Sequence, residues 1–206
     1  MNTLKRGCRG GDVTVLQKAL NLYADGIFGP LTEESVIAFQ VANGLKADGI
    51  VGEKTWKALG FDGIGEVRKS RRSINEIIVH CSDTREGMDY TVDDIRKWHL
   101  QRGFSDIGYH YVVYRDGSVH TGRNVDVSGA HCVGHNANSI GVCYIGGHEA
   151  VGDGYKDTRT EAQKKALLSL LSELKKFYPS ATIHGHREFA AKACPCFDAK
   201  AEYSNI

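Results

Sequence analysis

The run Ile140-Gly141-Val142-Cys143-Tyr144-Ile145 contains no charged residue and no alternation of apolar with polar side chains. A strand with one wet face alternates, whereas a near-continuous apolar run needs cover on both faces. This segment therefore predicts the middle of a sheet sandwiched between helices, and the flanking sequence supplies them. Asn75 to Cys81 reads as a first strand, and Thr91 caps a helix that buries Val92, Ile95 and Trp98 or His99 and stops at Gly103. Tyr109 to Tyr114 and Ser118 to Gly122 flank Asp116-Gly117, a hairpin signal. Thr160 and Gln163 form a capping box for a helix with Leu167, Leu170, Leu171, Leu174 and Phe177 on one stripe, ended by Pro179. Ala181 to His184 is a last strand. Residues 73–206 are thus expected to be α/β, with a mixed central sheet flanked by helices.

Residues 1–60 read differently, as a small all-α domain of three helices. Asp12 is expected to cap a helix through Val15, Leu16, Ala19, Leu20 and Leu22. A second helix follows Thr32, with Glu33 and Glu34 in its first turn, Val36, Ile37 and Phe39 on its buried face and Gly44 as its stop. A third runs from Thr55 to Leu59. Asp25-Gly26-Ile27-Phe28-Gly29 returns as Asp48-Gly49-Ile50-Val51-Gly52, two tight turns bracing one helix from both ends. Between the domains, residues 61–72 carry Gly63, Gly65 and the basic cluster Arg68-Lys69-Ser70-Arg71-Arg72, expected to be a flexible, solvated linker.

Charge excludes one function class. Residues 1–60 carry seven Lys and Arg against six Asp and Glu, and 73–206 carry fifteen against seventeen, so neither domain has the basic surplus that nucleic-acid binding needs. Met1 to Gly7 lacks the apolar core of a secretory signal, and no run of about 18 apolar residues occurs. Synthesis in the cytoplasm without membrane insertion is expected. Six irregularly spaced cysteines do not make a disulfide scaffold, and Cys143 reads as a small buried hydrophobe.

The chemistry concentrates near the C-terminus, where His186 through Pro195 includes His186, Lys192 and Cys194, and His80 closes the apolar run Ile77-Ile78-Val79. Two His and one Cys would hold zinc with one coordination position open, which is the catalytic rather than the structural pattern. The residue types leave alternatives open: His184 alternates with His186, and Cys196 lies just beyond Cys194. His99, His120 and His148 are read as structural.

Two resemblances sharpen this. Residues 4–60, through Leu16-Gln17-Lys18-Ala19-Leu20, Ala38-Phe39-Gln40 and the two Asp-Gly-Ile turns, resemble the three-helix peptidoglycan-binding domain, which implies a wall-anchoring module. Residues 74–198, through Val79-His80-Cys81-Ser82, Gly108-Tyr109-His110-Tyr111, Gly129-Ala130-His131, Asn138 to Cys143 and His186 to Pro195, resemble the N-acetylmuramoyl-L-alanine amidase type 2 family. That resemblance implies the zinc amidase fold, one catalytic Zn2+ held by His80, His186 and Cys194, and Tyr109 and Lys192 as catalytic assistants. It implies hydrolysis of the amide between N-acetylmuramic acid and L-alanine, with His131 at a substrate-groove position. The expected partner is bacterial peptidoglycan, reached after release or non-classical export, and the expected state is a monomer. Cys196 departs from the pattern, in which Gly or Ser is usual. Two rivals stand beside this reading: a wall-recognition protein without activity, and a cysteine peptidase using Cys81 or Cys132 with His80 or His131.

Overall fold

The computed structural model describes residues 3–60 and 67–206. The first domain holds helices α1 (Gly11–Ala19), α2 (Pro30–Ala42) and α3 (Glu53–Ala58). Its sequence echo is a structural duplication built on two buried glutamines. Gln17 Nε2 donates to Asp25 Oδ1, the Ile27 carbonyl and Thr32 Oγ1, while its Oε1 accepts from Gly26 N–H. Gln40 makes the same four bonds to Asp48, Ile50, Thr55 and Gly49. Each Asp also accepts from the backbone two residues on, and Gly26 and Gly49 supply the left-handed turn at φ 72° and 70°.

Three expectations for this domain need correcting. Asp12 does not cap α1: the helix starts on Gly10-Gly11, and the Asp12 carboxylate instead pairs with Lys176 at 3.0 Å. α2 begins before Thr32, with Pro30 at its first position, where a missing N–H costs nothing. Its buried positions are Thr32, Val36 and Gln40, so Ile37 faces outward. Residues 61–66 of the expected linker lie outside the described residues. The basic cluster is solvated only in part: Arg68, Lys69 and Arg71 are exposed, with Arg68 and Arg71 paired to Asp126, whereas Ser70 is buried and Arg72 donates to the carbonyls of Val125, Ala137 and Ser139. The first of those carbonyls lies in a turn and the second in the 3-10 helix Asn136–Asn138, where a guanidinium satisfies groups that no strand ladder reaches.

The second domain carries β1 (Glu76–Cys81), β2 (Thr84–Arg85), α4 (Val92–Gln101), β3 (Tyr111–Val113), β4 (Val119–Thr121), β5 (Ser139–Tyr144), β6 (Gly147–His148), α5 (Glu161–Phe177), β7 (Thr182–Gly185) and α6 (Ala199–Glu202). The main sheet has the order β4-β3-β5-β1-β7; β1 lies parallel between β5 and β7, β3 is parallel to β5, and β4 is antiparallel to β3. The expected capping box forms at Thr160 with Gln163, and Thr91, expected as a cap, forms a second one with Asp94.

Strand alternation assigns the two faces. Ile77, Val79, Ile140, Val142, Tyr144, Tyr111 and Val113 join one cluster with Leu167, Leu170, Leu171 and Leu174 of α5. Val112 and Ile145 point the other way and pack with Val92 and Ile95 of α4. His80 sits between Val79 and Cys81 in β1, so its side chain emerges on the α4 side. The registered neighbour of His80 on β5 is Cys143, fully buried as expected.

Candidate metal centre

The site lies at the carboxyl ends of the parallel strands β1, β5 and β7, the edge where open α/β sheets usually bind ligands. His80 is the penultimate residue of β1, and His186 is the first residue of the 3-10 turn that follows β7. Cys194 comes from the next loop, which is tied down by Arg187 N–H to the Cys194 carbonyl at 2.7 Å and by Tyr144 OH to the Pro195 carbonyl at 2.8 Å. The ligand atoms of His80, His186 and Cys194 all lie within 4.8 Å of one another.

Zinc fits this donor set. Cys194 Sγ stands 3.8 Å from His80 Nδ1, a gap that one ion can bridge with Zn–N near 2.1 Å and Zn–S near 2.3 Å. Burial, then the charges of His131, His186 and Lys192, hold His80 well below its ordinary pKa. Burial and then Lys192 lower His186 as well. Both imidazoles are therefore neutral, with lone pairs for a cation. The Cys81 N–H donates to Cys194 Sγ at 3.2 Å.

Side-chain direction distinguishes the two pairs left open by the residue types. His184 points away from the cluster and is occupied by Thr182 Oγ1 at 2.8 Å and Glu188 Oε2 at 2.7 Å. Cys196 takes a left-handed backbone, φ 71°, and its sulfur faces Cys81 Sγ at 3.8 Å and the Gly147 carbonyl at 3.4 Å.

Around these three side chains opens a cleft of about 390 Å³, whose walls include Tyr109, Lys192, His131, Trp98, Arg102 and Phe104. The Tyr109 ring lies 5.1 Å from that of His80 and 5.3 Å from that of His99, centroid to centroid. Burial first, then the sulfurs of Cys143 and Cys194, pushes its phenol well up, so the group is a hydrogen-bond donor at neutral pH. Lys192 is exposed on the cleft rim. His131 is 9% exposed where it lines the cleft, and its ring also adjoins His80, with His131 Nδ1 at 3.0 Å from His80 Nε2.

Other histidines have structural work. His99 Nδ1 accepts from Gly108 N–H at 2.8 Å, next to Tyr109, and His110 Nδ1 accepts from Gly141 N–H at 2.9 Å. His120 stacks on Tyr114, and His148 pairs with Asp83. Arg72, Ser139 and Asn136 also support the site, and sequence reasoning missed them. Their partners are backbone carbonyls, amides and the imidazoles of His110 and His131, which only the fold brings near, so no spacing rule announces them.

The cysteine-nucleophile geometry is poor. Cys81 packs into the α5-side core while His80 emerges on the opposite face, and the contact with Cys194 raises the Cys81 thiol well above its ordinary value. Burial raises that of Cys132. A thiol held protonated is a weak nucleophile.

Residues 9–59 match a family described as a peptidoglycan binding domain, and residues 70–197 match N-acetylmuramoyl-L-alanine amidase. An endolysin of Klebsiella phage KP32 is 46% identical over 130 residues, covering 63% of this chain and 85% of that protein. The solved amidase LysC from Clostridium intestinale superposes with a TM-score of 0.54 at 25% identity, over 68% of this chain and 91% of that one. A Drosophila peptidoglycan recognition protein, PGRP-LB, solved as a point mutant in complex with tracheal cytotoxin, gives 0.55 at 27% identity, over 69% and 86%. With more than half of its length in the amidase match, the chain belongs to the N-acetylmuramoyl-L-alanine amidase family.

Proposed function

We propose that the protein is an endolysin-like peptidoglycan hydrolase that uses one zinc ion to cut the amide between the lactyl group of N-acetylmuramic acid and L-alanine of the stem peptide. The observation that carries this reading is the convergence of His80, His186 and Cys194 at one strand edge, inside the segment that matches the amidase family. His80, His186 and Cys194 would hold the metal. When bound, zinc supplies Lewis-acid activation of water, lowering its pKa from about 15.7 to about 7.

The remaining steps belong to side chains. Hydrolysis turns the planar amide into a tetrahedral centre whose oxygen carries negative charge. Tyr109, a protonated phenol in the cleft wall, donates to the reacting oxygens, and the Lys192 ammonium on the rim offsets the developing charge. Trp98 and Phe104 supply apolar walls, and Arg102 a cation suited to the carboxylates of a stem peptide. The first domain holds the enzyme on the wall, as its match to a peptidoglycan binding domain suggests. The site of action is then the cell wall, in keeping with the phage endolysins the chain resembles; among the described residues no helix is long and apolar enough to cross a membrane.

Removing the metal tests the reading. Chelation should abolish release of soluble fragments from purified walls, and added zinc should restore it. Activity that survives complete zinc removal would support the cysteine mechanism, and a zinc-loaded protein that binds walls without digesting them would be a recognition protein.

A further inference from the structure

We infer that His131 is a positioning residue for the metal, the middle of a hydrogen-bonded relay Ser139–His131–His80, and not a contact for the substrate. The inference rests on the zinc reading above and deepens it.

The protons on this relay follow from one constraint. His80 turns Nδ1 toward Cys194 Sγ, so a metal there requires the Nδ1 lone pair and leaves the His80 proton on Nε2. That nitrogen lies 3.0 Å from His131 Nδ1, which must then be the acceptor. The His131 proton is thereby placed on Nε2, 3.3 Å from Ser139 Oγ, which accepts it. Both ring nitrogens of His131 are committed, and none remains for a ligand in the cleft.

The surroundings fix the ring as firmly as the bonds do. A Cβ on Gly141 or on Gly129 would come within 2.4 Å of His131 Cδ2, so the ring is slotted between two residues that have no side chain. Its backbone is held too, since His131 N–H and Cys132 N–H both donate to Asn136 Oδ1, at 2.8 and 2.9 Å. Ser139 opens β5 and is fully buried. A metal-bound imidazole commonly donates its other N–H to an oriented acceptor, which fixes its tautomer and raises its basicity, and loss of such a partner typically weakens metal binding about 10- to 100-fold. Here the acceptor is a second imidazole rather than a carboxylate.

The test measures zinc affinity by competition with a chromophoric chelator, in His131→Phe, which keeps the ring without an acceptor, and His131→Asn, which restores an acceptor near the position of Nδ1. We expect about a 10- to 100-fold loss in His131→Phe, a smaller loss in His131→Asn, and little change in KM for wall fragments at saturating zinc. Unchanged zinc affinity in folded His131→Phe, or a rise in KM at unchanged affinity, overturns the inference and returns His131 to the substrate groove. Should His131→Phe fail to fold, Ser139→Ala decides: a loss of a few-fold supports the relay and no change overturns it. If the unaltered protein binds no zinc, it is the parent reading that fails.

Discussion

Two sulfurs stand two residues apart in Cys194-Pro195-Cys196, and direction alone separates them. Cys194 faces His80 and His186, whereas Cys196 turns into contact with Cys81 and Gly147. Cys194→Ser should therefore lose stoichiometric zinc and Cys196→Ser should retain it, as metal analysis of the purified variants will report; the reverse pattern would move the ligand assignment to Cys196. Tyr109→Phe keeps the aromatic packing and removes one donor, so it should bind zinc normally while turnover falls about 10²- to 10³-fold. The residue types in the sequence narrow the ligands to two His and one Cys but leave His184 and Cys196 as competitors. Deciding between neighbours requires knowing where β7 ends and which way a left-handed residue turns its side chain, and that geometry comes from packing.

At the scale of elements, α4 is joined to the cleft through His99. The ring accepts from Gly108 N–H, and the next residue is Tyr109. His110 does the same between β3 and β5 through Gly141. Burial, foremost, lowers both imidazoles to about 4, and protonating either Nδ1 would set a proton against a backbone N–H. The sign follows directly: with folded values near 4 and unfolded values near 6.5, the unfolded chain takes up protons that the folded chain refuses. Stability from these groups is complete above about pH 6.5 and is lost as the pH falls toward about 4. Urea midpoints measured from about pH 7 to about pH 4 should drop over that window, less steeply in His99→Asn, whose amide oxygen can still accept from Gly108 without titrating. A midpoint that stays level from about pH 6.5 to about pH 5 would contradict this.

The main strands and both capped helices were legible because each carries a local signal, an uncharged run in β5 and paired caps at Thr91 and Thr160. β2, β6 and α6 were not, since elements of two to four residues hold too little pattern to rise above a loop. The exposed Ile37 and the uncapped start of α1 failed for another reason: Gln40 and Asp12 sit at buried positions where an apolar residue or a cap was expected, and their partners lie elsewhere in the chain.

Across the whole molecule, α1 lies against α5, on the sheet face opposite His80, and apolar residues of both domains run into one cluster. Lys176 of α5 reaches Asp12 at 3.0 Å, and Lys18 of α1 donates to the Glu202 carbonyl at 3.1 Å. The first domain is thus mounted behind the second, and none of the described residues that line the cleft belongs to it. Sequence patterns foretold two domains but not their docking, because single residues on separate helices make it. A calorimetric scan should show one transition for the unaltered chain and two for Lys176→Glu, which sets a third acidic group beside Asp12 and Glu173. A single unshifted transition in that variant would mean that the contact contributes little.

The central claim concerns which bond is cut, and mass spectrometry of purified peptidoglycan digested by the zinc-loaded protein tests it most directly. The account predicts free stem peptides that begin with an unblocked L-alanine amino group, beside glycan chains with no new reducing ends. New reducing sugar ends, or cleavage within the stem peptide while its bond to muramic acid stays whole, would contradict it.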